Sequence, residues 1–94
     1  MAWVADAPER HEPMRSRKLF HEVVVRTGLA PIIGPGTVGR ALAAVGVASP
    51  DDARAEDYLR ALPELRARMS IYLDADALEQ RIRQIELHLK HISE

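Results

Sequence analysis

The feature that most constrains this sequence is a set of apolar side chains that recurs every three or four residues towards its C-terminal end. The set comprises Ile71, Leu78, Ile82, Ile85, Leu89 and Ile92, with Ala75 filling the gap between the first two. This spacing places the side chains at the a and d positions of a heptad, which is typical of an amphipathic α-helix. Asp76 and Glu79 form a capping-box pattern at its start. We therefore predict a long amphipathic helix that runs almost to Glu94.

This heptad seam has two interpretations. It can pack against other helices of the same chain as core, or it can pair with a second copy. In a parallel pair, Arg81 at position g faces Glu86 at position e of the other copy, which is attractive, whereas Asp74 facing Glu79 is repulsive. The seam is also shorter than the three to four heptads of an established coiled coil. Both interpretations therefore stay open on the sequence alone.

Two further helices are predicted in the first half of the chain. Between Met14 and Thr27 the apolar residues form one stripe, and Gly28 can end the helix. A strand is the competing prediction, because Val23 to Val25 are β-branched. The second helix ends at Gly46 and carries apolar residues with helical spacing, namely Val38, Ala41, Leu42 and Val45.

The middle of the chain predicts one or two more helices. Ser49 and Pro50, followed by two acidic residues, have the pattern of a helix start, with Ala55, Tyr58, Leu59 and Leu62 as the buried face. Pro63 fits the first turn of a new helix better than the interior of an old one, so we predict a break at Leu62. The stripe of that new helix is Leu65, Met69, Tyr72 and Leu73.

These segments predict an all-α fold, a compact bundle of four to five helices with a long amphipathic C-terminal helix. Residues 1–13 contain two prolines and mixed charges without a sustained apolar period, so they are predicted to form a flexible N-terminal arm. Residues 14–94 are predicted to form a single helical domain, since a chain of this length supports one hydrophobic core.

The composition of the chain restricts the cellular compartment and the classes of partner that we expect. The chain has no cysteine, 13 basic and 14 acidic residues, and a net charge of −1. Disulfides are therefore excluded, and the net charge offers no long-range attraction to nucleic acid or to an anionic membrane. We expect no secretory signal, no membrane span and a cytoplasmic location. The bias towards arginine and alanine suggests GC-rich bacterial coding.

No motif in the sequence predicts an active site. Gly34, Gly36 and Gly39 match the dinucleotide fingerprint, but Pro31 interrupts the preceding segment and the chain is too short for two βαβ halves. A weaker prediction is that Gly36 and Thr37, with Arg40, bind an anion at a helix start. His88 and His91 have spacing for a weak metal site, and solvated histidines are the simpler interpretation. We expect no enzyme activity, no metal and no cofactor.

A helix-turn-helix is the main alternative to a protein-binding role. The helix ending at Val45, the turn at Gly46 and the helix after Ser49 have the required order. The acidic start of the second helix would repel phosphates. A basic cluster formed by Arg15, Arg17 and Lys18 supplies the candidate nucleic-acid contact, although such clusters are more often solvated.

By elimination, the sequence predicts a small α-helical protein–protein interaction or regulatory module of the adaptor type. We expect it to act as a homodimer or to dock on a larger protein, with the seam residues, Arg81 and Glu86 as candidate interface positions. The alternative is a helix-turn-helix-like regulator that binds nucleic acid through the basic cluster.

Overall fold

A computed structural model describes the backbone of residues 2–93 and the side chains of residues 15–93. The α-helices are α1 (Ala2–Thr27), α2 (Gly34–Ala44), α3 (Ala55–Met69) and α4 (Ala75–Ser93), and a single 3-10 turn, Pro50–Asp52, precedes α3. No strand occurs within residues 2–93. The predicted all-α bundle is confirmed, and so is helix rather than strand at Val23 to Val25. The flexible arm predicted for residues 1–13 lies outside the described side chains and stays a prediction.

Contacts between the helices show that consecutive helices run in opposite directions. Gly34, at the start of α2, lies against Val24 near the end of α1, while Asp51, after α2, pairs with Arg17. Arg60, early in α3, donates a hydrogen bond to the carbonyl oxygen of Val45 at the end of α2. The main packing pairs are α1 with α2, α2 with α3, α3 with α4, and α4 with α1. The fold is therefore an up-and-down four-helix bundle.

One apolar core fills the space between the four helices. Burial of these side chains is the main favourable term in folding, because it removes apolar surface from water. The core residues come from every helix and from the segment before α3: Leu19, Val23, Val24, Val38, Ala41, Leu42, Ala53, Ala55, Tyr58, Ala61, Leu65, Met69, Leu78, Ile82, Ile85 and Leu89. Small side chains such as Ala41 and Ala61 let neighbouring helices approach closely.

Glycines end α1 and α2 as the sequence predicts. Gly28 has φ +71° and Gly46 has φ +90°, a left-handed conformation that glycine adopts without steric cost. After α2, the amide of Gly46 donates to Ala43 and the amide of Val47 donates to Leu42. This pair of bonds is a Schellman motif, which satisfies carbonyl groups that the helix end leaves free.

The predicted start of the third helix at Ser49 is wrong. The hydroxyl of Ser49 does accept a hydrogen bond from the amide of Asp51, at 3.2 Å, but the structure it caps is the single 3-10 turn. The helix itself begins at Ala55, where the Asp57 carboxylate accepts a hydrogen bond from the amide of Arg54 at 2.8 Å. Ser49 therefore makes the hydrogen bond expected of a capping residue, but no α-helix follows directly after it.

The predicted break at Leu62 is also wrong, because α3 continues through Pro63 to Met69. Proline removes one backbone hydrogen bond and crowds the preceding turn. Pro63 lies on the exposed side of α3, whereas Tyr58, Leu65 and Met69 are buried on the other side. Packing of the buried face keeps the helix intact.

The last helix begins two residues earlier than predicted. Its cap is Asp74, whose carboxylate accepts a hydrogen bond from the amide of Ala77 at 2.8 Å, and Asp76 lies in the first turn. Met69 ends the helix before it, so Tyr72 and Leu73 lie in the connecting loop and not in a helical stripe. None of the described helices combines the length and apolar character that crossing a membrane requires.

Candidate functional site

Most of the heptad seam lies inside the bundle. Leu78, Ile82, Ile85 and Leu89 are buried, with Ile85 and Leu89 fully inaccessible. The two ends of the seam differ, since Ile71 is 75% exposed and Ile92 is 45% exposed. Four of the six apolar seam residues therefore pack within the chain, as one of the two interpretations of the seam expects. A second copy can reach them only if the bundle opens.

The two charged interface candidates have partners within the chain. The Arg81 side chain covers Gly28 so closely that a Cβ atom there would lie 2.7 Å from the Arg81 Nε atom. Glu86 lies one helical turn from Lys90, with a carboxylate-to-ammonium distance of 3.4 Å. Arg81 thus joins α4 to the end of α1, and the predicted pairing of Arg81 with Glu86 of another copy stays a prediction.

The basic cluster on α1 is divided between two environments. Arg17 pairs with Asp51 through two hydrogen bonds of 2.8 and 3.3 Å, which link α1 to the 3-10 turn. The hydrogen bond from Arg17 holds the pKa of the Asp51 carboxyl below its usual range, since it favours the charged form. Arg15 and Lys18 are exposed and line a cleft.

This terminal cleft, with a volume of about 750 Å³, lies between α1, the start of α3 and the end of α4. Its charged lining is mixed: the basic residues Arg15, Lys18 and Arg54 face the acidic residues Glu22, Asp51, Asp52 and Glu56. On its floor, Nε2 of His88 lies 2.8 Å from Oε2 of Glu22, although the two groups are not aligned for a hydrogen bond. The cleft lining therefore carries both signs of charge.

The geometry of α2 and α3 departs from a helix-turn-helix. Residues 45–54, including the 3-10 turn, separate the two helices, whereas the motif uses a turn of about three or four residues. The first turn of α3 carries Glu56 and Asp57. In a helix-turn-helix protein, that position approaches the DNA. The electrostatic objection raised by the sequence therefore applies to the observed helix as well.

The glycine motif opens α2 without a preceding strand in residues 2–93. Gly34 is buried against Val24, and Thr37 is buried with its hydroxyl donating to the carbonyl oxygen of Ile33. The guanidinium of Arg40 lies near Gly36, where an added Cβ would be 3.6 Å from it. Of these glycines, Gly34 packs against α1, and the predicted anion site stays a prediction.

The two C-terminal histidines are not part of a larger cluster. His88 faces Glu22 across the cleft, and His91 is exposed. Among residues 15–93 no group of three or more histidine, aspartate or glutamate side chains is arranged to bind a metal ion. Sequence reasoning assigned His88 to solvent, and its contact with α1 could be found only from the tertiary structure.

Three exposed apolar side chains lie in the α1–α2 and α3–α4 loops, which are at the same end of the bundle. Ile32 is 90% exposed, Ile71 is 75% exposed and Tyr72 is 51% exposed. Beside them, Leu29 and Leu73 are partly buried against the core. We call the surface formed by Ile32, Ile71 and Tyr72 the loop end. The sequence pattern identified only Ile71, because it placed Tyr72 in a buried stripe and no pattern singled out Ile32.

The fold and these surfaces define a small all-α bundle without an evident reaction centre in the described side chains. No protein-family model matches the chain, and neither a curated protein nor a solved structure matches it. Its function is therefore inferred from its surfaces alone.

Proposed function

We propose that this chain is a protein–protein interaction or regulatory module of the adaptor type, and that its partner docks on the loop end. The supporting observation is the exposure of three bulky apolar side chains, Ile32, Ile71 and Tyr72, at one end of the bundle. A group of such side chains in contact with water is typical of a docking surface. The proposal involves no catalytic step, metal or cofactor, and it places the protein in the cytoplasm.

The loop end is preferred to the α4 seam because it is accessible while the bundle stays folded. The central seam residues, among them Ile85 and Leu89, are fully buried in the core. Exposing them to a partner would remove the packing that stabilises the monomer. Ile71 belongs both to the α4 seam and to the loop end, so the proposal retains this one predicted interface residue.

The nucleic-acid alternative has weaker support. Arg17, the central residue of the basic cluster, already pairs with Asp51. Arg15 and Lys18 share their cleft with four acidic side chains. Phosphate binding depends on a local excess of positive charge. Among the residues that line this cleft, acidic side chains are at least as numerous as arginine and lysine side chains, so the cleft supplies no such excess.

Affinity capture with matched variants tests the proposal. Ile32→Ser combined with Ile71→Ser removes the apolar character of the loop end, and Leu87→Ser makes the same kind of change on α4, where Leu87 is 61% exposed. We expect the wild-type protein and the Leu87→Ser control to retain a specific partner protein, and the double variant to lose it. Equal capture by all three proteins, or none by any, would contradict the proposal.

A further inference from the structure

We propose that α4 exchanges between two copies of this chain, so that the α4 of each copy packs in the core of the other. The hinge is the α3–α4 connection, residues 70–74, which opens so that α3 and α4 form one continuous helix. This proposal does not depend on the docking role of the loop end. Three features of the structure support it: the backbone of this connection, the phase of the heptad seam, and the contacts that α4 makes with the rest of the bundle.

The backbone of the α3–α4 connection is already close to helical. The amide of Ser70 donates to the carbonyl oxygen of Arg66 at 3.0 Å, and the amide of Leu73 donates to that of Met69 at 3.0 Å. Both bonds have the four-residue spacing of an α-helix. The two intervening amides donate with the three-residue spacing of a 3-10 turn. Conversion into a continuous helix therefore changes the backbone mainly around Leu73 and Asp74.

The other two connections between helices are unsuited to this change. Residues 70–74 contain neither glycine nor proline. The α1–α2 and α2–α3 connections contain Gly28 and Gly46, which have positive φ, and each connection also contains a proline. Glycine and proline are the two residue types that cost most inside a helix. The α3–α4 connection is therefore the one of the three that becomes helical at the lowest cost.

The heptad seam is in phase with such a continuous helix. Ile71 precedes Ala75 by four residues and Leu78 by seven, which is the step of the seam. In the closed monomer, the form described above, α4 begins at Ala75, so Ile71 lies in the connection and is 75% exposed. Once residues 70–74 are helical, Ile71 lies on the same stripe as Leu78. The first step of the seam thus fits the open form and not the closed monomer.

The contacts of α4 with the rest of the bundle can all be made with a second copy. No disulfide holds α4, because the chain has no cysteine. Ile85 and Leu89 of α4 are fully buried in the core, and Glu79 forms an ion pair with Arg66 of α3. In an exchanged dimer the same contacts form between chains, so their stabilisation is retained. The two states then differ in the two hinges and in the entropy of association, and mass action favours the dimer at high protein concentration.

Cross-linking of introduced cysteines shows which chain supplies α4. Arg66→Cys with Glu79→Cys places one thiol on α3 and one on α4, whereas Arg17→Cys with Asp51→Cys, the control, joins two positions outside α4. Each variant is unfolded in urea, refolded at about 10 μM or about 1 mM, treated with a short bis-maleimide and run on a denaturing gel.

At the higher concentration, the pair that joins α3 to α4 should give a product of two chains. The control pair should give a single chain of 10.5 kDa at both concentrations, since exchange of α4 leaves its contact within one chain. A single-chain product alone from the α3–α4 pair, or a two-chain product from both pairs, would overturn the proposal.

Two hinge variants should shift the dimer population in opposite directions. Asp74→Ala removes the cap of α4, which a continuous helix does not need, so it should favour the dimer about tenfold or more. Ile71→Gly with Tyr72→Gly disfavours helix at two exposed positions and should weaken the dimer about tenfold or more. Ile32→Ser, in the α1–α2 connection, is the control and should leave the population unchanged. Size-exclusion chromatography after the same refolding measures all three, and hinge variants that match the control would contradict the proposal.

Discussion

Tyr58 presents an unusual polar group in the core. Its side chain is 1% exposed, and its hydroxyl group makes no hydrogen bond within the described residues. Burial raises the pKa of this phenol, so it stays neutral in the folded protein. The ring therefore contributes to the apolar core, whereas the buried hydroxyl group has no hydrogen-bond partner within the described residues.

We predict that Tyr58→Phe stabilises the protein. The substitution keeps the ring and removes a buried group without a partner, which should raise the free energy of unfolding by about 1 kcal/mol. Urea unfolding followed by circular dichroism measures the change. Tyr72→Phe, on a side chain that is 51% exposed, is the control and should have no effect. A loss of stability in Tyr58→Phe would show that an ordered water satisfies the hydroxyl.

At the scale of a single helix, α3 keeps its continuity although it contains a proline. Pro63 is exposed, so its substitution does not disturb the core. Alanine restores the missing amide donor and removes the steric crowding, while it gives the unfolded chain more freedom. We predict that Pro63→Ala raises the free energy of unfolding by about 2 kcal/mol, the difference between these effects.

The same unfolding measurement checks Pro63→Ala against a control in the same helix. Ala67→Gly, also exposed, should lower the free energy of unfolding by about 1 kcal/mol. If Pro63→Ala were instead destabilising, Pro63 would be acting as the start of a separate helix, as the sequence alone predicts.

The helices could be predicted because apolar spacing reflects burial on one face, but their ends could not all be predicted. Asp74 and Asp76 both have the residue type of a cap, and the length of the preceding loop decides between them. At Ser49 the same local signal caps only a 3-10 turn. Backbone capping preferences amount to about 1 kcal/mol, so tertiary packing readily overrides them.

Most residues of the candidate site could not be predicted from the sequence, for a related reason. Ile32 and Tyr72 are residue types that usually lie inside a protein, and only the tertiary structure shows them in contact with water. Ile71 was identified because it extends the seam by one step, but the helix that carries the rest of the seam begins after it. The sequence therefore predicted Ile71 as a heptad position of a helix, whereas in the structure Ile71 lies in the loop before that helix.

For the whole molecule, acid stability depends on carboxylates at the starts of elements. The amide of Arg54 donates a hydrogen bond to Asp57, and Arg60 adds an ion pair at 2.7 Å, so the pKa of Asp57 lies below its unfolded value of 3.8. A lowered folded pKa means that the stabilisation is fully present above the unfolded pKa and is lost as the pH falls through the folded one.

We therefore predict that the midpoint temperature of unfolding falls as the pH is lowered from about 5 to about 2. Asp57→Asn should reduce the steepness of this fall, because it removes one group that binds a proton on unfolding. Differential scanning calorimetry at several pH values measures the effect. Identical slopes in Asp57→Asn and wild type would contradict the assignment.

The position of the heptad seam in the whole molecule can be tested with two chemically identical substitutions. Ile85 is fully buried and Ile71 is 75% exposed, and isoleucine to valine removes one methylene group from either. In dilute monomer, Ile85→Val should lower the free energy of unfolding by about 0.5 to 1.5 kcal/mol, and Ile71→Val should change it by less than about 0.5 kcal/mol. Denaturant unfolding of dilute protein measures both. If both variants lost the same free energy of unfolding, Ile71 would be buried in the folded chain. If neither variant lost any, the seam would not be part of the core.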